Sequence, residues 1–259
     1  MKIYVDGQYI EHTTATPEQR LLLMRQRPLL YQELFNVRPV TAKKAVMYTP
    51  FQVYQIFYDD KSKNNLDNGF IPYDNSGTTH NFENDVILDL WLTRRNEWID
   101  KKFVGVLSWR FYEKTEKTAK ELYRVLRTTT ADVVTISPKL YSGQKHPFVR
   151  EGFKSVTDMC KVVDRYHFFP FNLYEYPIKH ICWCNYWIAA PKVFDDYCTN
   201  YLNKVISFFR DSRIEEVKTL YESFETHRKG QPYKAFTFFL EGLFSVYLSE
   251  QTKLKILEI

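Results

Sequence analysis

The run Phe51-Gln-Val-Tyr-Gln-Ile-Phe-Tyr58 constrains this chain more than any other segment. It is almost continuously apolar, rich in aromatic and β-branched residues, and it stops abruptly at Asp59 and Asp60. That pattern predicts a strand buried on both faces, which calls for helices above and below a mostly parallel sheet. Ligands of open α/β sheets sit beyond the carboxyl ends of the strands. Asp59 and Asp60 therefore stand where a ligand would be held. A second segment, Cys184-Asn-Tyr-Trp-Ile-Ala-Ala190, reads as another strand, opened by Asn185 and closed by Pro191.

Strand and helix signals alternate from residue 50 onward. The polar stretch 59–83, with Pro72 and several Asn, Asp and Gly residues, reads as a loop. Helix is expected over 83–96 and a strand over 103–107. Ala119, Leu122, Tyr123 and Leu126 have helical spacing within 115–127. A strand over 131–136 is halted by Ser137-Pro138, weak helix covers 152–164, and a fourth strand covers 181–190. Three helices are expected in the last third, over 192–209, 213–226 and 234–248. The alternation argues for an α/β fold, a mostly parallel central sheet flanked by helices. Residues 1–45 read as an attachment. Asp6-Gly7 is a hairpin signal, Thr16-Pro17 caps and starts a helix, and a short amphipathic piece covers 29–35. The sheet domain then spans 46–259.

Several chemistries lack their sequence signatures. The eight glycines are scattered, so neither a phosphate-binding Walker loop nor GxGxxG is present. There is no GxSxG elbow. Histidines 12, 80, 146, 167, 180 and 227 are isolated, and Cys182 and Cys184 have neither redox nor zinc spacing. The four cysteines are expected as buried thiols. No signal peptide opens the chain and no apolar run reaches spanning length, so a soluble, cytoplasmic protein is expected. Charge is uneven. Residues 59–89 hold seven carboxylates against two lysines, whereas 94–127 hold ten Lys and Arg against five acids. The basic stretch suits either a polyanion such as DNA or a solvated helix face.

The ordered blocks Val53-Tyr-Gln-Ile-Phe-Tyr-Asp-Asp60, Phe70-Ile-Pro-Tyr-Asp-Asn75, Phe82-Glu-Asn84 and Gly105-Val-Leu-Ser-Trp-Arg110 resemble a family of bacterial and phage proteins similar to GT-A glycosyltransferases. Ala131-Asp-Val-Val, Cys184-Asn-Tyr-Trp and Leu240-Glu-Gly-Leu-Phe-Ser follow in the same order. Capsule-type enzymes end similarly, with Arg where this chain has Gly242. The resemblance covers roughly 50–248. It implies a GT-A-like sheet, a nucleotide-sugar donor (a UDP-sugar first) and a cytoplasmic location in a bacterium or phage-infected cell.

Under that resemblance, Tyr54, Gln55, Tyr58, Asp60, Asp74, Asn75, Arg110, Asp132 and Lys139 would line the donor. Asp59 and Glu241 would be the catalytic carboxylates, and Trp109 and Asn185 would meet the acceptor. Sheet packing is the competing reading for Tyr54 and Gln55, an ion pair or helix cap for Glu241, and backbone pairing for Asn185. GT-A enzymes commonly hold Mn²⁺ or Mg²⁺ through Asp-x-Asp at a later strand end. Here that strand ends in Ser137-Pro-Lys139, so metal dependence stays open. Hydroxymethylated bases in phage DNA and surface-polysaccharide precursors are the two acceptor classes, and a non-catalytic binding module is the alternative to an enzyme.

Overall fold

The central run does form a strand, β3 (Phe51–Phe57), in a computed structural model that describes residues 2–5, 8–11, 50–77, 83–138, 146–148, 153–226 and 232–259. Its side chains alternate between two cores. Tyr54 and Ile56 enter the larger one, and Phe51 and Val53 the smaller one. Parallel neighbours flank it, β4 (Ile71–Asp74) on one side and β5 (Phe103–Ser108) on the other. Next to β5 lies β7 (Trp187–Ala189), then β6 (Val133–Thr135), then β10 (Ile256–Glu258). The sheet order is β10-β6-β7-β5-β3-β4, and only β7 runs antiparallel.

Helices cover both faces. In chain order they are α1 (Asp60–Lys63), α2 (Glu83–Thr93), α3 (Arg95–Trp98), α4 (Phe111–Thr115), α5 (Ala119–Thr128) and α6 (Lys154–Arg165). Then come α7 (Pro191–Tyr197), α8 (Asn203–Asp211), α9 (Glu215–Tyr221) and α10 (Ala235–Glu250). Helix α5 starts where Thr118 and Glu121 close a reciprocal capping box, which fixes its first turn. It packs on the smaller core. Helices α2, α6, α8 and α10 pack on the larger one. Helix α10 is buried nearly all round, and a Cβ at Gly242 would come within 2.2 Å of the Phe148 ring. Glycine is required there by contact.

Several expected boundaries move. The polar stretch after β3 contains α1 and the edge strand β4, where Pro72 is tolerated because an edge residue needs no second ladder partner. The strand expected over 181–190 is only three residues long. The helix expected over 192–209 contains a π-helical turn, Cys198–Leu202, between α7 and α8. The one expected over 213–226 ends at Tyr221, and Phe224–Thr226 (β8) pairs with Pro232–Lys234 (β9) instead. Lys2–Val5 (β1) and Gln8–Glu11 (β2) form the expected hairpin. The helices expected from Thr16 and over 29–35 lie outside the described residues.

Candidate functional site

From β3 the chain passes first to β4 on one side and later to β5 on the other. The strand order thus reverses at β3 and β5, and a crevice outside their carboxyl ends is the default ligand site of such sheets. β7 runs the other way, so its entry, not its exit, faces the same end. Tyr58, Asn75, Ser108 and Tyr186 meet there. Asn75 donates its backbone N–H to the Phe57 carbonyl at 2.9 Å, and its side chain bonds the Tyr58 phenol. The Ser108 and Tyr186 hydroxyls lie 2.6 Å apart, both buried.

Charge gathers around this frame. Phe111 and Thr115 bury one face of α4 and leave Lys114 at its margin, half-buried. The Lys114 ammonium donates to Cys184 Sγ at 3.3 Å and lies 5.5 Å from the Tyr186 ring centroid. Burial opposes that charge, but Cys184, Tyr186, Glu83 and Glu241 around it hold its pKa above the usual lysine range. Burial, then Glu241, pushes the Cys184 thiol up to about 11, so at neutral pH Lys114 faces a thiol and not a thiolate. Glu83, at the first turn of α2, is only 8% exposed. Burial raises its carboxyl to about 7, with Lys114 pulling the other way and Glu241 adding to the rise. A carboxyl with that value is poised to take or give a proton near neutrality.

The loop entering β7 is strained. Cys184 and Asn185 both have left-handed backbones, at φ 60° and 53°. Asn185 is 1% exposed, and neither its Oδ1 nor its Nδ2 has a hydrogen-bond partner. Asn84, beside Glu83, is equally buried and equally unpartnered. Most buried polar side-chain atoms are paired, so each such group asks for an explanation.

The structure brings Tyr58, Asn75, Arg110, Asn185 and Glu241 of the expected residues to this end, with Trp109 beside them. The Arg110 guanidinium is held chiefly by Glu113 (Nε to Oε2 2.7 Å), lies 5.8 Å from the Trp109 ring, and feels Tyr186 and Cys184. Asp59 also lies here, but exposed and committed: its Oδ1 accepts the Ser62 N–H at 2.7 Å in a capping box that starts α1. Those bonds lower its pKa, which is the wrong direction for a general base. Asp60 is exposed in the same turn, and Asp74 accepts from Ser76 N–H at 3.0 Å.

Two expected donor residues are internal. The Gln55 amide donates to the Ser108 carbonyl at 3.1 Å and accepts from Asp67 N–H at 2.8 Å, tying β3 to β5 and to the following loop. The buried Tyr54 hydroxyl donates to Glu97 at 2.6 Å. Asp132 precedes β6 and so lies at the opposite end of the sheet, where its Oδ2 accepts Lys255 N–H at 2.8 Å. Lys139 lies outside the described residues. Glu83, Lys114, Cys184 and Tyr186 were not expected as site residues. The spacing of Phe111 and Thr115 around Lys114 was the available signal.

Among the described residues no group of three His, Cys, Asp or Glu is placed to hold a metal ion. All four cysteines are buried and free of disulfides. A groove of about 430 Å³ opens elsewhere, lined by Phe168, Asp196, Asn200, Lys204 and Glu250. Glu250 lies about 13 Å along α10 from Glu241, so this groove is remote from the cluster. Comparison of the chain with protein-family models, with curated proteins and with solved structures gives no match in any of the three.

Proposed function

We propose that the protein is a GT-A-like glycosyltransferase, moving a sugar from a nucleotide-sugar donor, a UDP-sugar first, to a hydroxyl acceptor. The observation that carries the reading is the Glu83–Lys114–Glu241 cluster, Glu83 buried and the other two half-buried, at the strand-order reversal, where α/β sheets hold nucleotide ligands. The acceptor oxygen attacks the anomeric carbon and its proton passes to Glu83 or Glu241. The bond from that carbon to the diphosphate breaks, and its electron pair leaves with the nucleoside diphosphate. Lys114, with Arg110 nearby, supplies positive charge for that leaving group. Among the described residues no group of three ligating side chains is placed for a divalent ion, and no step is assigned to Mn²⁺ or Mg²⁺.

Within 94–127, Arg94 and Arg95 pair with acids, Lys102 bonds carbonyls, Arg110 pairs with Glu113, and Lys114 belongs to the cluster. The exposed Lys120, Arg124 and Arg127 lie on α5 and are the stretch's candidates for DNA phosphates. No described helix is long and apolar enough to cross a membrane. The test is a panel of labelled nucleotide sugars, with and without Mn²⁺, scored by thermal shift and donor hydrolysis. A donor that shifts the melt and turns over supports the enzyme, and silence from every donor rejects it in favour of a binding module. Transfer to hydroxymethylcytosine DNA, tested against glycan acceptors, separates the two acceptor classes.

A further inference from the structure

Cys184 and Asn185 are the two central residues of a turn that the Tyr186 N–H closes on the Trp183 carbonyl at 3.1 Å, so their left-handed backbones serve the chain reversal into β7. Left-handed backbone disfavours Cys and is adopted more readily by Asn, and the turn leaves the Asn185 side chain without a role of its own. The Asn185 carboxamide gains nothing from the arrangement within the chain, because both its polar atoms are buried and unpaired. On either side of it in sequence, Cys184 accepts from Lys114 and Tyr186 underlies the same ammonium.

We propose that Asn185 reads the donor sugar, its carboxamide pairing with two adjacent ring hydroxyls while the left-handed corner holds it ready. The inference rests on the glycosyltransferase reading and moves Asn185 from the acceptor to the donor. If the diphosphate is neutralised at Lys114, the sugar attached to it falls beside Cys184 and Asn185. A carboxamide offers one acceptor next to one donor, which matches a vicinal diol or a nucleobase amide edge. The surroundings choose between them. Glu83 and Glu241 are within electrostatic reach of Cys184, and a base such as uracil would turn carbonyl acceptors toward those acceptors. Hydroxyls donate to carboxylates and accept from Lys114 and Nδ2 alike.

The experiment compares wild type with Asn185→Gly, a substitution suited to left-handed backbone. Melting temperatures are taken without ligand. Affinities are then measured for UDP, UDP-glucose, UDP-galactose and UDP-N-acetylglucosamine, and for the free monosaccharides. Wild type should bind its best UDP-sugar about tenfold more tightly than UDP, the scale of two hydrogen bonds. Asn185→Gly should bind that sugar no better than UDP, and should melt no lower than wild type. If wild type ignores UDP compounds but binds a free monosaccharide that the variant loses, the nucleotide reading fails and the role of Asn185 stands. Equal sugar binding by both proteins, a variant that melts well below wild type, or a wild type that binds no probe overturns the proposal.

Discussion

Lys102 immediately precedes β5, and Lys114 lies one short helix beyond its end, so the two lysines sample opposite ends of the same sheet. The Lys102 ammonium spreads over the carbonyls of Leu126, Arg127 and Thr129, at 3.0, 3.4 and 3.1 Å, and so completes the last turn of α5. Asp132, at that same end, likewise spends an oxygen on the backbone of Lys255. At the Lys114 end the polar groups pair with one another only in part. A thiol, an aromatic ring and two carboxylates face one ammonium, and a buried carboxamide beside them has no partner. Polarity at the amino end finishes the scaffold, whereas at the carboxyl end the Asn185 carboxamide stays unsatisfied by it. Surplus buried polarity is costly unless something else satisfies it.

That contrast is sharpest in turnover. If the protein transfers sugars as proposed, with Glu83 as the base, Glu83→Gln should lower transfer by roughly 10²–10⁴-fold, the span typical of a lost general base, while donor affinity holds. Lys102→Met should leave turnover unchanged, and full activity in Glu83→Gln would break the comparison. Stability against pH gives the next largest effect. The folded state holds the Glu83 proton more tightly than the unfolded chain, since its carboxyl rises from 4.5 to about 7. Its contribution is therefore favourable at acid pH and is lost as pH climbs through that interval. At pH 8 Glu83→Gln should be the more stable protein, by up to about 3 kcal/mol, and near pH 4 the two should match. Denaturant melts at both pH values read this directly. Lys102→Met should cost about 1 kcal/mol in the same melts, from an exposed ammonium bonded to helix-end carbonyls. Smallest is Asp59→Ala, which should lower the melting temperature slightly by uncapping α1 and leave turnover intact. A large loss of turnover there would return Asp59 to the chemistry.

How much of this was legible in the chain differs by element. β3 was plain because burial on both faces leaves an uninterrupted apolar run. β4 was not, because an edge strand alternates in exposure and here carries Pro72. β7 was overextended, since Cys182, Trp183 and Cys184 are apolar for burial in a loop and not for pairing. Asp59 looked like an acid waiting for a ligand, although Ser62 three residues later already spelled a capping box. The cluster itself was hard to see. Tyr58, Glu83, Lys114, Cys184 and Glu241 come from five separate segments, and only the topology brings them to one end.

The antiparallel strand of the central sheet also governs when the molecule can become itself during synthesis. β7 wedges between β5 and β6, so closely that a Cβ on Gly105 would lie 2.7 Å from the Ile188 side chain. Until residue 189 has been made, the ribosome holds a β3–β4–β5 fragment and an unjoined β6, with nothing to bridge them. The outer strand β10 waits for residue 258. Glu83 and Lys114 are thus made long before Cys184 and Glu241, and a chain halted midway carries half of each pair. Such distant pairings slow folding and leave strand edges exposed in the interval. An unfinished copy would first be a competitor for other strands.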